Sequence, residues 1–138
     1  MSAIYLPRAL RVSANALQQL PAALAEIGLS APAILTDPFL ADNGTLDRLL
    51  SILSEAGMEA RAYSEVIPDP TIASVDDAVT FVAGGRHDCI IGLGGGSPID
   101  TAKAVAILAK HGGTMRARKA PYQQTEAGLP IVAIPTTA

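Results

Sequence analysis

The sequence has one cysteine and two histidines in 138 residues. A single cysteine cannot form an internal disulfide, and these few side chains do not supply the ligand cluster of a metal site. Cys89 lies inside an apolar run, where we expect a buried, unreactive thiol rather than a nucleophile. His87 and His111 stand at unrelated places, at the expected start of a strand and the expected end of a helix. We therefore expect neither a disulfide framework nor a metal centre from these residues.

The chain also lacks a long apolar run and an excess of positive charge. No stretch approaches the ~20 apolar residues that a membrane-spanning helix needs. The formal net charge is −3, so nothing in the charge favours nucleic acid or anionic lipid as a partner. Arg8 and Arg11 interrupt the first apolar stretch, unlike the layout of a signal peptide, and we expect a cytoplasmic protein.

Hydrophobic residues make up 49% of the chain and charged residues 17%, which is typical of a globular protein. A length of 138 residues suits one domain with a real core and is short for two. We therefore expect a single domain over residues 1–138. Residues 130–138 have the pattern of a buried strand followed by a Thr-Thr turn, and a domain seldom stops there. For this reason we expect a fragment, or a chain truncated relative to its relatives.

Short apolar runs alternate with segments of helical periodicity. The runs 33–36, 60–63, 88–92 and 131–134 predict strands, and most of them lack the alternation of a half-exposed strand. This arrangement predicts an α/β fold, an open, doubly wound parallel sheet that is Rossmann-like and incomplete at its C-terminal end. In such folds ligands bind at the carboxyl ends of the strands. The polar turns after three predicted strands, at Asp37, Gly94–Ser97 and Thr136-Thr137, would then share one edge of the sheet.

The helical segments have recognisable boundaries. We expect Pro21 to divide the first segment into two short helices. The second begins after a cap at Asp42 or Asn43 and ends near Gly57, and a third begins at the break over residues 68–71. The last predicted helix runs from Ser97 to Lys110.

The most informative segment is GLGGGSPIDTAK, from Gly92 to Lys103. Three successive glycines allow a positive φ angle and a close approach of the backbone to an anion. Ser97 suits the N-cap of the following helix, Pro98 its first position, and Asp100 the acidic position of a capping box. Unpaired N–H groups at a helix N-terminus favour phosphate, so this segment predicts a nucleotide or phosphate loop.

General motifs do not specify the nucleotide. The loop is not a P-loop, because no Gly-Lys-Ser/Thr follows the glycines. Gly92 and Gly94 match the first two positions of G-x-G-x-x-G, but Ser97 occupies the third, and the loop follows a middle strand rather than the first.

The longer string GGGSPIDTAKAVA, residues 94–106, resembles the signature of the iron-containing (group III) alcohol dehydrogenase family. Residues 68–71, Pro-Asp-Pro-Thr, resemble the family's Pro-Asn-Pro-Thr turn, and residues 34–37 match its first strand and acidic residue. Residues 129–138 resemble the strand and turn before its Gly-Thr-Gly-Ser-Glu segment. The resemblance extends over the chain from about residue 10.

The resemblance implies an N-terminal domain that binds a nicotinamide dinucleotide. Asp37 would accept hydrogen bonds from the adenosine ribose and repel a 2′-phosphate, which favours NAD over NADP, although turn chemistry alone also explains an aspartate here. Asp69 replaces the family's asparagine near the adenine. Asp100 and Lys103 match positions of the family's motif, but helix capping and a pair that is solvated or supports the site residues explain them about equally well. The implied cofactor-binding residues are Asp37, Gly94, Gly95, Gly96, Ser97, Thr136 and Thr137. Of these, Asp37 would bind the ribose, Gly95, Gly96 and Ser97 the pyrophosphate, and the two threonines a phosphate or the nicotinamide side.

The resemblance also implies that a separate helical domain holds Fe²⁺ or another divalent metal. Its ligands, one aspartate and three histidines, would follow Ala138, so we expect no hydride transfer from this chain alone. The chain would supply the cofactor-binding part of an NAD-dependent oxidoreductase acting on small alcohols or aldehydes, with homo-oligomer formation left open. The alternative is a catalytically silent, truncated dinucleotide-binding module. A dehydroquinate-synthase-like relative is a weaker third interpretation.

Overall fold

The computed structural model of the chain describes residues 16–111 and 128–136. Helices and strands alternate over most of this length. In chain order the elements are α1 (Ala16–Glu26), β1 (Pro32–Leu35), α2 (Pro38–Asp42), α3 (Thr45–Glu55), β2 (Arg61–Tyr63), α4 (Ile72–Ala83), β3 (Cys89–Gly94), α5 (Gly96–His111) and β4 (Ile131–Pro135). No helix among these residues is long and apolar enough to cross a membrane.

The strands of the described residues form one parallel sheet in the order β2-β1-β3-β4. From β1 the chain first moves outward to β2, and it then returns to place β3 on the other side of β1. The winding direction therefore reverses between β1 and β3. In an open α/β sheet such a reversal separates the loops that follow the two strands and leaves a crevice between them.

Both faces of the sheet are covered by helices. Ile34, Ile91 and Leu93 point to one face, where they pack with leucines of α1 and α3. Leu35 and Ile90 point to the other face and pack with apolar residues of α4 and α5. Because each central strand is buried on two sides, its sequence shows a continuous apolar run. The predicted doubly wound parallel sheet is confirmed.

The predicted break at Pro21 is wrong. Helix α1 continues through Pro21, and Leu20 and Leu24 on either side of it are buried in the same core. Proline removes one backbone donor and crowds the preceding turn. The burial of both leucines in the same core offsets this cost, and the helix continues through Pro21.

The sequence analysis missed α2 and misplaced the cap of α3. Asp37 is the N-cap of α2 and Pro38 opens that helix, a combination that is a recognised helix start. The N-cap of α3 is Gly44, at φ +91°, rather than Asp42 or Asn43. The Asn43 side chain contributes nearby, because its Oδ1 accepts a hydrogen bond of 3.0 Å from the Thr45 N–H.

Helix α5 begins at Gly96, so Ser97 is inside its first turn and the predicted Ser97 cap and capping box are wrong. The chain leaves β3 through Gly94 at φ +138°, which turns it directly into the helix. Asp100 instead pairs with Lys103 at 3.8 Å on the exposed surface of α5. The pair is therefore solvated, which is one of the explanations that the sequence left open.

Candidate functional site

A pocket of about 510 Å³ lies at the carboxyl edge of the sheet, beside the reversal between β1 and β3. Asp37, Thr136 and the glycine turn all line it, so the predicted meeting of three strand ends is confirmed for these residues. From the turn, Gly95, Gly96 and Ser97 contribute to the lining, whereas Gly94 is buried beneath it. Thr137 lies outside the described residues.

Gly94 gives the turn its shape. Its φ of +138° is a conformation that side chains rarely adopt, and a Cβ there would lie 2.9 Å from Cγ of Pro98 and 3.2 Å from Cδ1 of Leu40. A Cβ on Gly96, in contrast, would meet no atom within 4 Å. Gly94 therefore allows the turn. Gly95 and Gly96 carry no side chains, so the backbone of the turn is accessible from the pocket.

The bare backbone coincides with the N-terminus of α5, a helix of 16 residues. The first N–H groups of a helix have no partner within it, and the helix dipole adds partial positive charge there. Gly92 brings this helix close to the sheet, because a Cβ on it would lie 3.1 Å from Cα of Ile99 and 3.2 Å from Cβ of Ala102. The arrangement fits a phosphate or pyrophosphate group.

The half-buried carboxylate of Asp37 stands across from this turn. Its Oδ1 accepts a hydrogen bond of 2.9 Å from the Leu40 N–H and so caps α2. Its Oδ2 lies 3.5 Å from the position that a Cβ on Gly94 would take. Oδ1 therefore caps the helix, as expected of an Asp-Pro pair, and Oδ2 faces the glycine turn.

Thr36, immediately before Asp37, is fully buried, and the sequence analysis assigned it no role beyond the strand. Its hydroxyl donates a hydrogen bond of 2.8 Å to the Leu93 carbonyl. Its backbone N–H donates to the Tyr63 carbonyl at 3.0 Å, and its carbonyl accepts from the Val66 N–H at 3.1 Å. Thr36 therefore joins the ends of β1, β2 and β3. A threonine at a strand end has no distinguishing sequence pattern.

The pocket has an apolar rim that the sequence analysis also missed. Phe39, on α2, is 71% exposed, and Ile67, after β2, is 39% exposed. Both line the pocket on the Asp37 side. The Asp37-Pro38 pair was the available signal, because a helix that begins there places Phe39 next to the carboxylate.

Residues 7–138 match the family model of the iron-containing alcohol dehydrogenases. The chain belongs to this family. It is 34% identical to long-chain-alcohol dehydrogenase 1 of Geobacillus thermodenitrificans, over 98% of this chain and 35% of that protein. It is 30% identical to the NAD-dependent methanol dehydrogenase of Bacillus methanolicus, over 100% of this chain and 36% of that protein.

The fold agrees with solved structures of this family. NADH-dependent butanol dehydrogenase A from Thermotoga maritima superimposes with a TM-score of 0.82 at 27% identity, over 91% of this chain and 32% of that one. A 1,3-propanediol oxidoreductase gives a TM-score of 0.82 at 32% identity. The chain spans about a third of the length of the curated relatives that it matches.

Asp69 differs from the asparagine that the resemblance to iron-containing alcohol dehydrogenases implies at this position. Its φ is +49°, in the left-handed region that asparagine and aspartate tolerate better than other non-glycine residues. The replacement therefore preserves the backbone of the turn. The turn continues into α4, whose N-cap Thr71 accepts a 3.1 Å hydrogen bond from the Ser74 N–H.

Metal-binding and nucleophilic groups are not assembled in the part of this chain that the structure describes. Over residues 16–111 and 128–136, no three His, Cys, Asp or Glu side chains are grouped as a metal site. Cys89 is fully buried, and this burial, with the neighbouring Asp88 carboxylate, raises the pKa of its thiol far above the ordinary value. The expected burial of this thiol is confirmed. His87 contacts the Ala31 carbonyl through Nδ1 at 3.2 Å, away from the pocket.

Proposed function

We propose that this chain is the cofactor-binding part of an NAD-dependent oxidoreductase that acts on alcohols or aldehydes. One observation carries the proposal: a carboxylate and a bare glycine turn face the same pocket where the winding of the sheet reverses. A dinucleotide needs this combination, because its ribose hydroxyls are donors and its pyrophosphate is an anion. The relatives named for long-chain alcohols and for NAD-dependent methanol oxidation support it.

The pyrophosphate is assigned to the glycine turn. Backbone N–H groups of Gly95, Gly96 and Ser97, together with the Ser97 hydroxyl, would donate hydrogen bonds to its oxygens. The conformation of Gly94 makes this approach possible. Thr136 would contact the same group or the nicotinamide side. Its backbone N–H donates to the Gly94 carbonyl at 3.0 Å and holds it next to the turn, which supports this assignment.

The adenosine end is assigned to the Asp37 side of the pocket. The oxygen of Asp37 that does not cap α2 would accept hydrogen bonds from the ribose hydroxyls. The same negative charge would repel a 2′-phosphate, which favours NAD over NADP. The apolar surfaces of Phe39 and Ile67 would cover one face of the adenine base.

The bound cofactor would accept or donate a hydride at its nicotinamide ring, while this chain binds and orients it. The described residues do not fit a metal ion, so no metal-dependent step is assigned to them. Their contribution is to fix the ribose and pyrophosphate and thereby aim the ring at the sheet's carboxyl edge. Binding without turnover by this chain alone is the expected behaviour.

The proposal is tested by thermal melts of the chain with NAD or NADP. A ligand that binds only the folded state at about 100 times its Kd adds about 2.7 kcal/mol to the free energy of unfolding. We expect NAD to raise Tm by several degrees and NADP to raise it much less. Asp100→Asn removes an exposed carboxylate outside the pocket and should change neither result. No shift with either dinucleotide would refute the proposal.

A further inference from the structure

A buried hydroxyl links the two sides of the pocket without lining it. Thr36 is 0% exposed and its Oγ1 donates to the Leu93 carbonyl at 2.8 Å. Thr36 precedes Asp37 in the chain, and Leu93 precedes Gly94. The bond therefore joins the residue before the carboxylate to the residue before the glycine turn.

The backbone explains why a side chain donates here. In parallel strands the N–H and C=O groups of successive residues point alternately to the two neighbouring strands. The Gly94 carbonyl accepts from Thr136, beyond β4, so the Leu93 carbonyl points to the β1 side. The pairing of β1 with β3 ends at Leu35 and Gly92.

Beyond that pairing, β1 gives way to α2, which Asp37 caps. The backbone N–H of Thr36 is directed to Tyr63 of β2. The hydroxyl therefore extends the connection between β1 and β3 by one residue, up to the point where the two loops diverge around the pocket.

We propose that Thr36 is a positioning residue for cofactor binding, whose hydroxyl fixes the spacing between Asp37 and the turn at Gly94–Ser97. The inference rests on the proposed function, because that function assigns the ribose of the ligand to Asp37 and its pyrophosphate to the glycine turn. A ligand that contacts both sides depends on their separation, whereas a ligand that contacts one side does not. This difference separates a positioning role from a general contribution to stability.

The test compares ligands of two kinds on the wild-type chain, Thr36→Val and Thr36→Ser. ADP and NAD span both sides, whereas adenosine and inorganic pyrophosphate each occupy one. Affinities are measured by NMR titration, which reaches millimolar Kd values. Valine keeps the shape of threonine without the hydroxyl. We expect it to weaken the binding of ADP and NAD about tenfold, which corresponds to the loss of roughly one hydrogen bond to the ligand. Adenosine and pyrophosphate should change by less than about twofold, and serine should retain affinity for all four ligands.

The outcomes are distinguishable. Equal weakening of all four ligands by Thr36→Val, or no weakening of ADP and NAD, would overturn the positioning role. A wild-type chain that binds neither NAD nor ADP would instead overturn the proposed function, and this inference with it. If Thr36→Val does not fold, Thr36→Cys takes its place with the same expected order, because a thiol is only a weak donor.

Discussion

The two carboxylate oxygens of Asp37 have different surroundings. Oδ1 caps α2 through the Leu40 N–H, and Oδ2 faces the glycine turn. Capping and ribose binding are therefore compatible in one side chain, although from the sequence they are competing explanations. A substitution that preserves only the cap separates the two roles.

Asp37→Ser is expected to remove the preference for NAD while keeping α2 in place. Serine caps helices about as well as aspartate but carries no charge. Since a hydrogen bond to a charged group contributes about 1.5–3 kcal/mol, the ratio of the NADP and NAD Kd values should fall at least about tenfold. Asp37→Ala should show the same fall and also lose about 1 kcal/mol of stability with the cap. Titration calorimetry gives the ratio and a melt gives the stability. An unchanged ratio in the serine variant would remove the ribose assignment.

The two glycines of the turn should respond differently to alanine. Gly94→Ala forces a side chain into φ +138° and against Pro98, so it should cost about 1–3 kcal/mol of stability. Gly96→Ala meets open space, so its melt should match the wild type while NAD binding weakens, because the methyl group projects where the pyrophosphate is assigned. Paired urea unfolding and NAD titration measure both effects. Equal NAD affinity in Gly96→Ala and the wild type would contradict the pyrophosphate assignment.

Between elements, Asp88 connects the start of β3 to the segment before β1. Its carboxylate accepts hydrogen bonds from the backbone N–H groups of Ser30 at 2.9 Å and Ala31 at 3.0 Å. Burial opposes the charged form, but these bonds outweigh it and lower the pKa of Asp88. The amino ends of two adjacent strands are thereby held together, opposite the pocket edge.

Asp88→Asn should lower the free energy of unfolding at pH 7 by about 1 kcal/mol, because an amide presents one acceptor where the carboxylate presents two. A native pKa below the unfolded value of 3.8 stabilises the fold above that pH. The difference in the free energy of unfolding between Asp88→Asn and the wild type should therefore shrink as the pH falls below 3.8 and passes the native pKa of Asp88. Urea titrations across this range measure it, with Asp76→Asn on the exposed surface of α4 as the control. A difference that stays constant with pH would contradict the assignment.

At this scale, the strands and the long periodic helices were predictable, whereas the shortest helix was not. The helix 72–83 and the strand 89–94 follow from their apolar patterns and flanking breaks. Helix α2 has five residues, too few for a periodic signal, and only its Asp37-Pro38 start marks it. The start of α5 shifted because Gly94 turns the chain earlier than a serine cap requires.

For the whole molecule, the sheet has β4 at one edge within the described residues. Ile131 at its start is 38% exposed. An exposed edge of apolar residues presents unpaired backbone groups to a second strand. We therefore expect the chain to associate at high concentration.

Ile131→Lys should reduce this association, because a charge on an edge strand opposes pairing with another edge. Sedimentation velocity over a range of concentrations measures it. Ile72→Lys, at an equally exposed isoleucine (38%) on α4, should leave association unchanged. A wild-type chain that stays monomeric at high concentration would contradict the expectation.

The sequence by itself predicted the glycine turn before a helix and the class of the fold. Glycines before a helix specify an anion site wherever the strand lies, and continuous apolar runs specify strands buried on both faces. Tertiary structure alone decided the strand order and which buried groups join the strands beneath the pocket. Thr36 and Leu93, bonded at this junction, are 57 residues apart. Local patterns extend over a few residues, whereas strand order depends on how helices pack over the whole sheet.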